Sequence, residues 1–284
     1  MREEGASMQP NQMEERQKQE ESITQNLRKI KQVIVVLSGK GGVGKSTVST
    51  NLALTLSQQG HTVGLLDCDM HGPTIPTMLG LENTRITQSS DGLKPIQATE
   101  HLKVLSMGFL INNQDDAIIW RGPMKMGAIK QLIGDFDWGD LDYLIIDLPP
   151  GTGDEPLSIA QIIPKITGAI IVTTPQDVAL VSVRKSITFV KKLNIPVIGI
   201  IENMSGFTCP HCGKKVDIFK SGGGKKAAED FNLPYLGDIP LDPTIVETGD
   251  NGTTKMIDDS TLATSFETIA ENVKKRIKKK EGKK

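Results

Sequence analysis

A glycine-rich segment with two lysines and a Ser-Thr pair has the residue types that bind phosphate. It runs from Ser38 to Thr47 and reads Ser-Gly-Lys-Gly-Gly-Val-Gly-Lys-Ser-Thr. An apolar run at Val33–Leu37 precedes it, and a segment with helical spacing, Thr47–Gln58, follows it. A strand, a glycine-rich turn and a helix in this order are typical of a phosphate-binding P-loop. We predict nucleotide contacts from Gly39, Lys40, Gly41, Gly42, Val43, Gly44, Lys45, Ser46 and Thr47.

Two side chains at the end of this loop have more specific chemistry. Lys45 is expected to reach the β- and γ-phosphates, and the Ser46 hydroxyl is the expected ligand of Mg²⁺. The helix that begins near Lys45 adds free N–H groups and the positive end of its dipole. The segment therefore predicts a site for a nucleotide with a bound magnesium ion.

Three aspartates follow two further apolar runs. Asp67 and Asp69 come after Thr62–Leu66, and Asp147 comes after Tyr143–Ile146. Ligands of a parallel sheet bind at the carboxyl ends of its strands, so these carboxylates are expected near the phosphates. There they can hold Mg²⁺ through water or orient the attacking water, although a single aspartate after a strand is also common as a turn cap. The Pro-Pro-Gly loop after Asp147 predicts a segment that moves with the γ-phosphate.

Asn203 is a further candidate nucleotide contact. It follows the apolar run Val197–Ile201. Its amide has the donors and the acceptor to bond the N6 and N7 edge of adenine. An asparagine that only forms a turn explains the position nearly as well, so both interpretations stay open.

Cys209 and Cys212 form a Cys-x-x-Cys motif, the spacing that wraps around one metal centre. One pair supplies two ligands, whereas zinc and iron–sulfur clusters take four. Cys68 and His211 could complete a site within the chain, the pair could be a redox dithiol, or two chains could each give two cysteines. The residues after the pair predict a short hairpin rather than the helix of a redox motif. Cys68 is expected to face the core as a small apolar residue.

Composition excludes several classes of protein. The 284 residues are 37% hydrophobic and 24% charged, with a net charge of −1, which gives no support for a nucleic-acid partner. No apolar stretch approaches the length of a membrane span, and the N-terminus lacks the apolar region of a signal peptide. We expect a cytoplasmic protein whose few cysteines have metal or redox chemistry rather than a disulfide framework.

The order of the elements predicts one doubly wound α/β domain with a mainly parallel sheet. Continuous apolar strands indicate burial on both faces. Residues 1–29 are predicted to be a flexible polar tail, 30–278 the domain with a Cys-x-x-Cys insertion near 205–220, and 279–284 a basic tail. Strands are expected at Val33–Leu37, Thr62–Leu66, Leu102–Leu105, Tyr143–Ile146, Ala169–Val172, Val197–Ile201 and near Pro234–Leu236, and helices at Thr47–Gln58, Met124–Ile133, Glu155–Ile163, Val178–Leu193 and Gly224–Phe231.

The C-terminal segment from Thr261 has apolar residues at helical spacing and ends in lysines. A basic amphipathic helix could lie on an anionic membrane. A helix that packs its apolar stripe on the sheet explains the pattern better, because aromatic residues other than Phe266 are absent and the first half lacks basic residues.

Lys40, directly after Gly39, makes the P-loop resemble that of the deviant Walker A ATPases, the class of ParA, MinD and the nitrogenase iron protein. In that class this lysine crosses a dimer interface to the partner's nucleotide. The resemblance implies that Lys40 stabilises charge on the transferring phosphoryl group of the other chain. It also implies that Asp67 takes the metal-water position and Asp69 the water-activating position. The implied catalytic residues are Lys40, Lys45 and Asp69, and the implied magnesium residues are Ser46, Asp67 and Asp147.

Nearly all of residues 30–250 is similar to the Mrp/ApbC family of ATP-dependent iron–sulfur cluster carriers. The motifs behind this similarity are Lys-Gly-Gly-Val-Gly-Lys-Ser, Asp-x-Asp-x-x-Gly-Pro, Met107–Phe109, Trp120–Met124, Pro-Pro-Gly-Thr-Gly-Asp, and Glu202–Ser205 before Cys-x-x-Cys. The resemblance implies an ATP-hydrolysing homodimer that holds a [4Fe–4S] cluster on Cys209 and Cys212 of both chains and passes it to apo-proteins. Because no cysteine precedes Cys68, no second N-terminal cluster is expected.

The alternative is a positioning or partition ATPase whose cysteine pair is a structural zinc knuckle. A metal-chelatase or metallochaperone subunit that delivers a single ion is a weaker third possibility. Neither a nucleic acid nor a membrane is an expected partner.

Overall fold

The computed structural model describes residues 10–70, 72–86, 88–89, 92–110, 122–209, 211–253 and 261–282. Its strands are β1 (Ile30–Leu37), β2 (Val63–Asp67), β3 (Gln88–Ser89), β4 (Gly92–Leu93), β5 (Ile96–Thr99), β6 (Leu102–Ser106), β7 (Leu141–Asp147), β8 (Gly168–Thr173), β9 (Val197–Thr208), β10 (Lys215–Val216) and β11 (Tyr235–Leu241). Its α-helices are α1 (Pro10–Arg28), α2 (Lys45–Gln58), α3 (Ile75–Met78), α4 (Gly122–Gly134), α5 (Asp154–Ile162), α6 (Asp177–Lys192), α7 (Gly223–Asp230), α8 (Pro243–Asp250) and α9 (Thr261–Glu281). A 3₁₀ turn spans Met107–Leu110.

The apolar runs form one large sheet in the order β10-β9-β8-β1-β7-β2-β6-β5, with β11 also beside β9. Its strand pairs are parallel except for β5 against β6 and β10 against β9. Strands without polar alternation need cover on both faces, and such strands favour parallel pairing. The predicted mainly parallel sheet is confirmed.

Helices cover both faces of this sheet. Along β1, Val33 and Val35 belong to one core cluster, whereas Ile34 and Val36 belong to the other. Alternation of side chains along a strand sends neighbours to opposite faces, and both faces of β1 are buried. The first cluster includes residues of α4, α5, α6 and α7, and the second includes residues of α2 and α9. This is a doubly wound α/β fold, as expected.

The C-terminal helix packs on the sheet. The buried residues of α9 recur every three or four positions and are Leu262, Phe266, Ile269, Ala270, Val273 and Ile277. This spacing puts an apolar stripe along one side of a helix. The favoured interpretation of this segment is therefore confirmed, and its apolar stripe is not free for a membrane. Among the residues that the structure describes, no helix is both long enough and apolar enough to span a bilayer.

The N-terminal region differs from expectation. Residues 10–28 form the helix α1, in which Ile23 is only 3% exposed. The amide Nδ2 of Asn26 donates to the carbonyl oxygens of Ile133, Gly134 and Phe136, at 3.0, 2.9 and 2.8 Å. These carbonyls lie at and just beyond the end of α4, where a helix has no backbone partners of its own. The prediction of a flexible tail is wrong for residues 10–28, since a few apolar contacts and this cap hold α1 against α4.

Candidate functional site

The carboxyl ends of three neighbouring strands bring the predicted motifs together. β1, β7 and β2 are adjacent in the sheet, and β1 leads directly into the P-loop. Asp67 and Asp147 end β2 and β7 and are partners in the parallel register. Val36, near the end of β1, pairs with Asp147 from the other side. The P-loop and both carboxylates therefore meet at one edge of the sheet.

Asp147 is the centre of a buried hydrogen-bond network. Its side chain is fully buried, and its Oδ2 lies 2.5 Å from Lys45 Nζ and accepts a hydrogen bond from Ser46 Oγ at 2.6 Å. Its Oδ1 accepts from Ser49 Oγ at 2.6 Å. A buried carboxylate is costly without such partners, so these three donors fix its position. Ser49 was not a predicted site residue, and its only signal is its place one helical turn after Lys45 and Ser46.

Asp67 lies beside this network and is also buried. Its Oδ2 accepts from Ser106 Oγ at 2.9 Å, and its Oδ1 accepts from the backbone N–H of Asp69 at 3.0 Å. Burial and the nearby charge of Asp147 raise the pKa of Asp67 to about 7. The charged form of Asp67 is therefore disfavoured beside Asp147, and a further cation at this position would stabilise it. The half-buried Asp69 accepts from the Gly72 N–H at 3.3 Å, and its water-activating role stays a prediction.

The glycines of the P-loop serve different purposes. Gly42 and Gly44 have φ angles of 73° and 77°, in the left-handed region that favours glycine. A Cβ on Gly41 or Gly42 would have no neighbour within 4 Å, so a ligand can approach this part of the loop closely. A Cβ on Gly39 would instead overlap with the backbone of Ser182 in α6. Position 39 therefore requires glycine because the loop packs closely on α6.

Asn203 supports the P-loop from beneath. It is 4% exposed, and its Nδ2 donates to the carbonyl oxygen of Val43 at 2.9 Å. A Cβ on Gly44 would overlap with this same amide group. Asn203 thus positions the loop backbone, which the sequence did not indicate. Its predicted contact with adenine stays a prediction.

The two lysines of the P-loop have different surroundings. Lys45 is buried against Asp147, whereas Lys40 is half-buried and its Nζ lies 3.4 Å from Oε1 of Gln176, at the start of α6. Among the described contacts, Lys40 therefore does not take part in the hydrogen-bond network around Asp147. Its contact with a second chain stays a prediction.

The Pro-Pro-Gly loop after Asp147 is tied to the start of the P-loop. The N–H of Gly151 donates to the carbonyl oxygen of Ser38 at 2.9 Å. Gly151 has a φ of 97°, and a Cβ there would meet no atom within 4 Å. A backbone hydrogen bond therefore connects the loop that is expected to move to the phosphate-binding loop.

A cavity of about 550 Å³ adjoins the P-loop at Thr47. Met70, residues 72–74 and residues 76–78 line one side of it, and Ile245, Val246, Gly249 and Asp250 of α8 line another. Its volume lies within the range of about 300–1,000 Å³ that is common for small-molecule sites. The site thus has room next to the phosphate loop for more of a nucleotide than its phosphates.

The cysteine pair lies at the tip of a short hairpin. β9 continues to Thr208, and β10 returns antiparallel, with Thr208 paired to Lys215. A hairpin is present, but it encloses the pair, whereas the prediction placed it in the residues after the pair. The backbone N–H groups of Cys212 and His211 donate to the sulfur of Cys209, which lowers the pKa of that thiol. Backbone donors that face a sulfur stabilise its thiolate, the form that binds metals. Cys209 is half-buried and Cys212 is exposed.

The third cysteine does not join this pair. Cys68 is fully buried in the core, as predicted, and burial raises the pKa of its thiol. Within the described ranges, no three His, Cys, Asp or Glu side chains are close enough to hold a metal ion. Completion of a site by Cys68 and His211 is therefore wrong for the described part of the chain. Of the segments named in the predictions, Trp120, Arg121, residues 1–9 and residues 283–284 lie outside the described residues.

The sequence matches a known protein family along most of its length. A family model described as ParA, NUBPL iron-transfer P-loop NTPase, matches residues 29–274. The chain is 53% identical over 266 residues to an iron-sulfur cluster carrier protein of Methanocaldococcus jannaschii, a match that covers 94% of this chain and 91% of that protein. It is 52% identical to the cytosolic Fe-S cluster assembly factor CFD1 of Kluyveromyces lactis, over 88% of this chain and 93% of that one.

Solved structures agree with this match. A nucleotide-binding protein from Archaeoglobus fulgidus, in complex with ADP and with Co found in it, has a TM-score of 0.76 and 39% identity over 87% of this chain and 96% of that chain. MinD from Aquifex aeolicus has a TM-score of 0.62 and 20% identity over 86% of this chain and 97% of that chain, and it shows the shared fold alone. The chain therefore belongs to the NUBPL iron-transfer family of ParA-type P-loop NTPases.

Proposed function

We propose that this protein is an ATP-hydrolysing homodimer that carries an iron–sulfur cluster and transfers it to apo-proteins. The observation behind the proposal is the hairpin at Cys209 and Cys212. It presents two accessible sulfurs, one of them with backbone N–H donors, and the described part of one chain adds no further ligands. The cluster is cargo, and the protein supplies its ligands.

A second copy of the chain supplies the missing ligands in this proposal. A [4Fe–4S] cluster takes four thiolates, and two chains related by a two-fold axis bring identical hairpins together. Lys40 supports such a dimer because it is outside the Asp147 network and available to a partner's nucleotide. In the dimer it would stabilise charge on the phosphoryl group of the other chain.

The nucleotide side of the proposal rests on the P-loop and on the aspartates. Lys45 would bind the β- and γ-phosphates, Thr47 and the loop glycines would surround them, and Asp69 would orient the attacking water. Ser46, Asp67 and Asp147 would hold a magnesium ion, since their oxygen atoms are of the type that Mg²⁺ prefers and a cation would stabilise the two neighbouring carboxyl groups. When bound, Mg²⁺ would neutralise charge on the phosphates.

The names of the relatives support this function over its alternatives. The relatives at 52% and 53% identity are named as iron–sulfur proteins, whereas the likeness to MinD at 20% identity concerns the fold. We therefore do not adopt a positioning ATPase with a zinc knuckle. The word cytosolic in the names of relatives supports a cytoplasmic location.

Anaerobic reconstitution with iron and sulfide tests the proposal. We expect about four iron and four sulfide per dimer and a visible absorption band from thiolate-bound iron. The double variant Cys209→Ser, Cys212→Ser should lose both, because no described residue replaces the thiolates. The variant Cys68→Ser is the matched control and should bind iron as the wild type does. Equal iron in the double variant would contradict the proposal, and so would stoichiometric zinc in protein purified without oxygen.

A further inference from the structure

Glu202 is a buried carboxylate that the proposed chemistry does not use. It lies in β9, pairs with Thr173 of β8, and is fully buried. Its Oε1 accepts hydrogen bonds from Ser205 Oγ at 2.5 Å and from the N–H of Gly222 at 2.8 Å. Its Oε2 accepts from the N–H of Gly224. A buried carboxyl group is tolerated where hydrogen-bond donors of the protein replace its hydrogen bonds to water. The three donors around Glu202 are therefore a specific feature of the fold.

These donors close the base of the cysteine hairpin. Ser205 lies on the chain that leads to Cys209, and Gly222 and Gly224 lie on the chain that returns from Cys212. One carboxylate therefore joins the two ends of the segment that carries both thiols. A Cβ on Gly224 would press on the Glu202 side chain, so glycine at this position permits the contact.

The next residue along β9 contacts the nucleotide loop. Asn203 donates to Val43, and its amide leaves no room for a Cβ on Gly44. Neighbouring side chains of a strand point to opposite faces, so Glu202 and Asn203 contact different partners from one short piece of backbone. Met204 follows with a φ of 58°, a left-handed conformation that a non-glycine residue adopts rarely. Such backbone persists where the surrounding contacts hold it.

We propose that Glu202 is a positioning residue that, together with Asn203, couples the P-loop to the cysteine hairpin. When a nucleotide moves the backbone at Val43 and Gly44, Asn203 shifts with it, and Glu202 carries the shift to both ends of the hairpin. The coupling is reciprocal, so a metal on the thiols also changes the affinity for nucleotide. The inference rests on the proposed function, because it takes Cys209 and Cys212 as metal ligands.

The experiment measures Co²⁺ binding to the full-length protein by thiolate-to-cobalt absorption, with and without a non-hydrolysable magnesium–ATP analogue. In the wild type we expect the analogue to change the Co²⁺ affinity at least about fivefold, a common size for coupling between sites. In Glu202→Gln this ratio should fall close to one, because the amide cannot accept all three hydrogen bonds. Nucleotide affinity without metal should stay within about twofold of wild type, which a general loss of structure would not allow.

Two further variants keep the inference open to contradiction if Glu202→Gln folds poorly. Ser205→Ala removes one of the three hydrogen bonds and should lower the ratio to an intermediate value. Glu229→Gln, an exposed change on α7, is the matched control and should keep the wild-type ratio. A wild-type ratio of one, or an unchanged ratio in both Glu202→Gln and Ser205→Ala, overturns the inference and leaves the proposed function intact. Loss of the proposed function would appear separately, as undiminished Co²⁺ absorption in the double cysteine variant.

Discussion

The nucleotide loop and the cysteine hairpin differ in how completely one chain builds them. Around the P-loop, Lys45 and Asp147 are buried, and Asp147 has three side-chain partners within the chain, Lys45, Ser46 and Ser49. At the hairpin, Cys209 is half-buried and Cys212 is exposed, and in the proposed function they supply two of the four thiolates that a [4Fe–4S] cluster takes. In the proposed function, one chain builds the nucleotide site, whereas a second chain completes the cluster site. On this proposal, we expect association of two chains to limit metal binding, whereas nucleotide binding should need only one chain.

The largest expected effect separates the two regions directly. In Lys45→Ala we expect ATP turnover to fall at least about a thousandfold, because the loop loses its phosphate-binding charge. Removal of Lys45 also leaves Asp147 without its ion-pair partner, at a cost of about 3 kcal/mol or more in the free energy of unfolding. A colorimetric phosphate-release assay measures the turnover. Lys45→Arg keeps the positive charge beside Asp147. Its turnover therefore shows whether the loss of activity in Lys45→Ala comes from a loss of folding or from a loss of phosphate binding.

Co²⁺ binding by Lys45→Arg in the absence of nucleotide sharpens the comparison. It should match that of the wild type, since the hairpin is built without the P-loop lysine. A joint loss of Co²⁺ binding and turnover would mean that the two regions are not independently formed.

A smaller effect is expected from Lys40→Ala. Nucleotide affinity should stay within about threefold of wild type, because Lys40 is outside the Asp147 network. Turnover should fall at least about tenfold, since a cation in trans stabilises the charge of the transition state. Turnover is measured at several protein concentrations, with Lys191→Ala, an exposed lysine of α6, as the control. Normal hydrolysis by Lys40→Ala would remove the argument for a lysine that acts across the dimer.

The smallest expected effect concerns stability. Ser49→Ala should lower the free energy of unfolding by about 1–3 kcal/mol, because Asp147 then lacks one of its buried donors. The double variant Cys209→Ser, Cys212→Ser should change it by less than about 0.5 kcal/mol in metal-free protein, as expected for surface substitutions. Urea unfolding followed by circular dichroism measures both. A large loss in the cysteine variant would show that the hairpin contributes to the fold even without metal.

Sequence patterns predicted most of what lies on strands. The apolar runs ending at Asp67 and Asp147 gave both the sheet and the position of the carboxylates, since parallel strands end at the same edge. They did not predict the contacts of Glu202 or Asn203, because a buried polar residue inside an apolar strand carries no sign of its partner. Ser106 and α1 were missed for a related reason. Their roles depend on residues far away in the chain, Asp67 and the end of α4.

The packing of Gly39 on Ser182 affects how substitutions in the motif should be interpreted. An alanine at this position would overlap with α6 and disturb its packing on the loop. Weak nucleotide binding by such a variant would therefore be an indirect result. In related sequences, a larger residue at position 39 would require α6 to lie farther from the loop. Two requirements therefore limit which substitutions the motif tolerates: some positions must leave space for phosphate, and position 39 must leave space for a neighbouring helix.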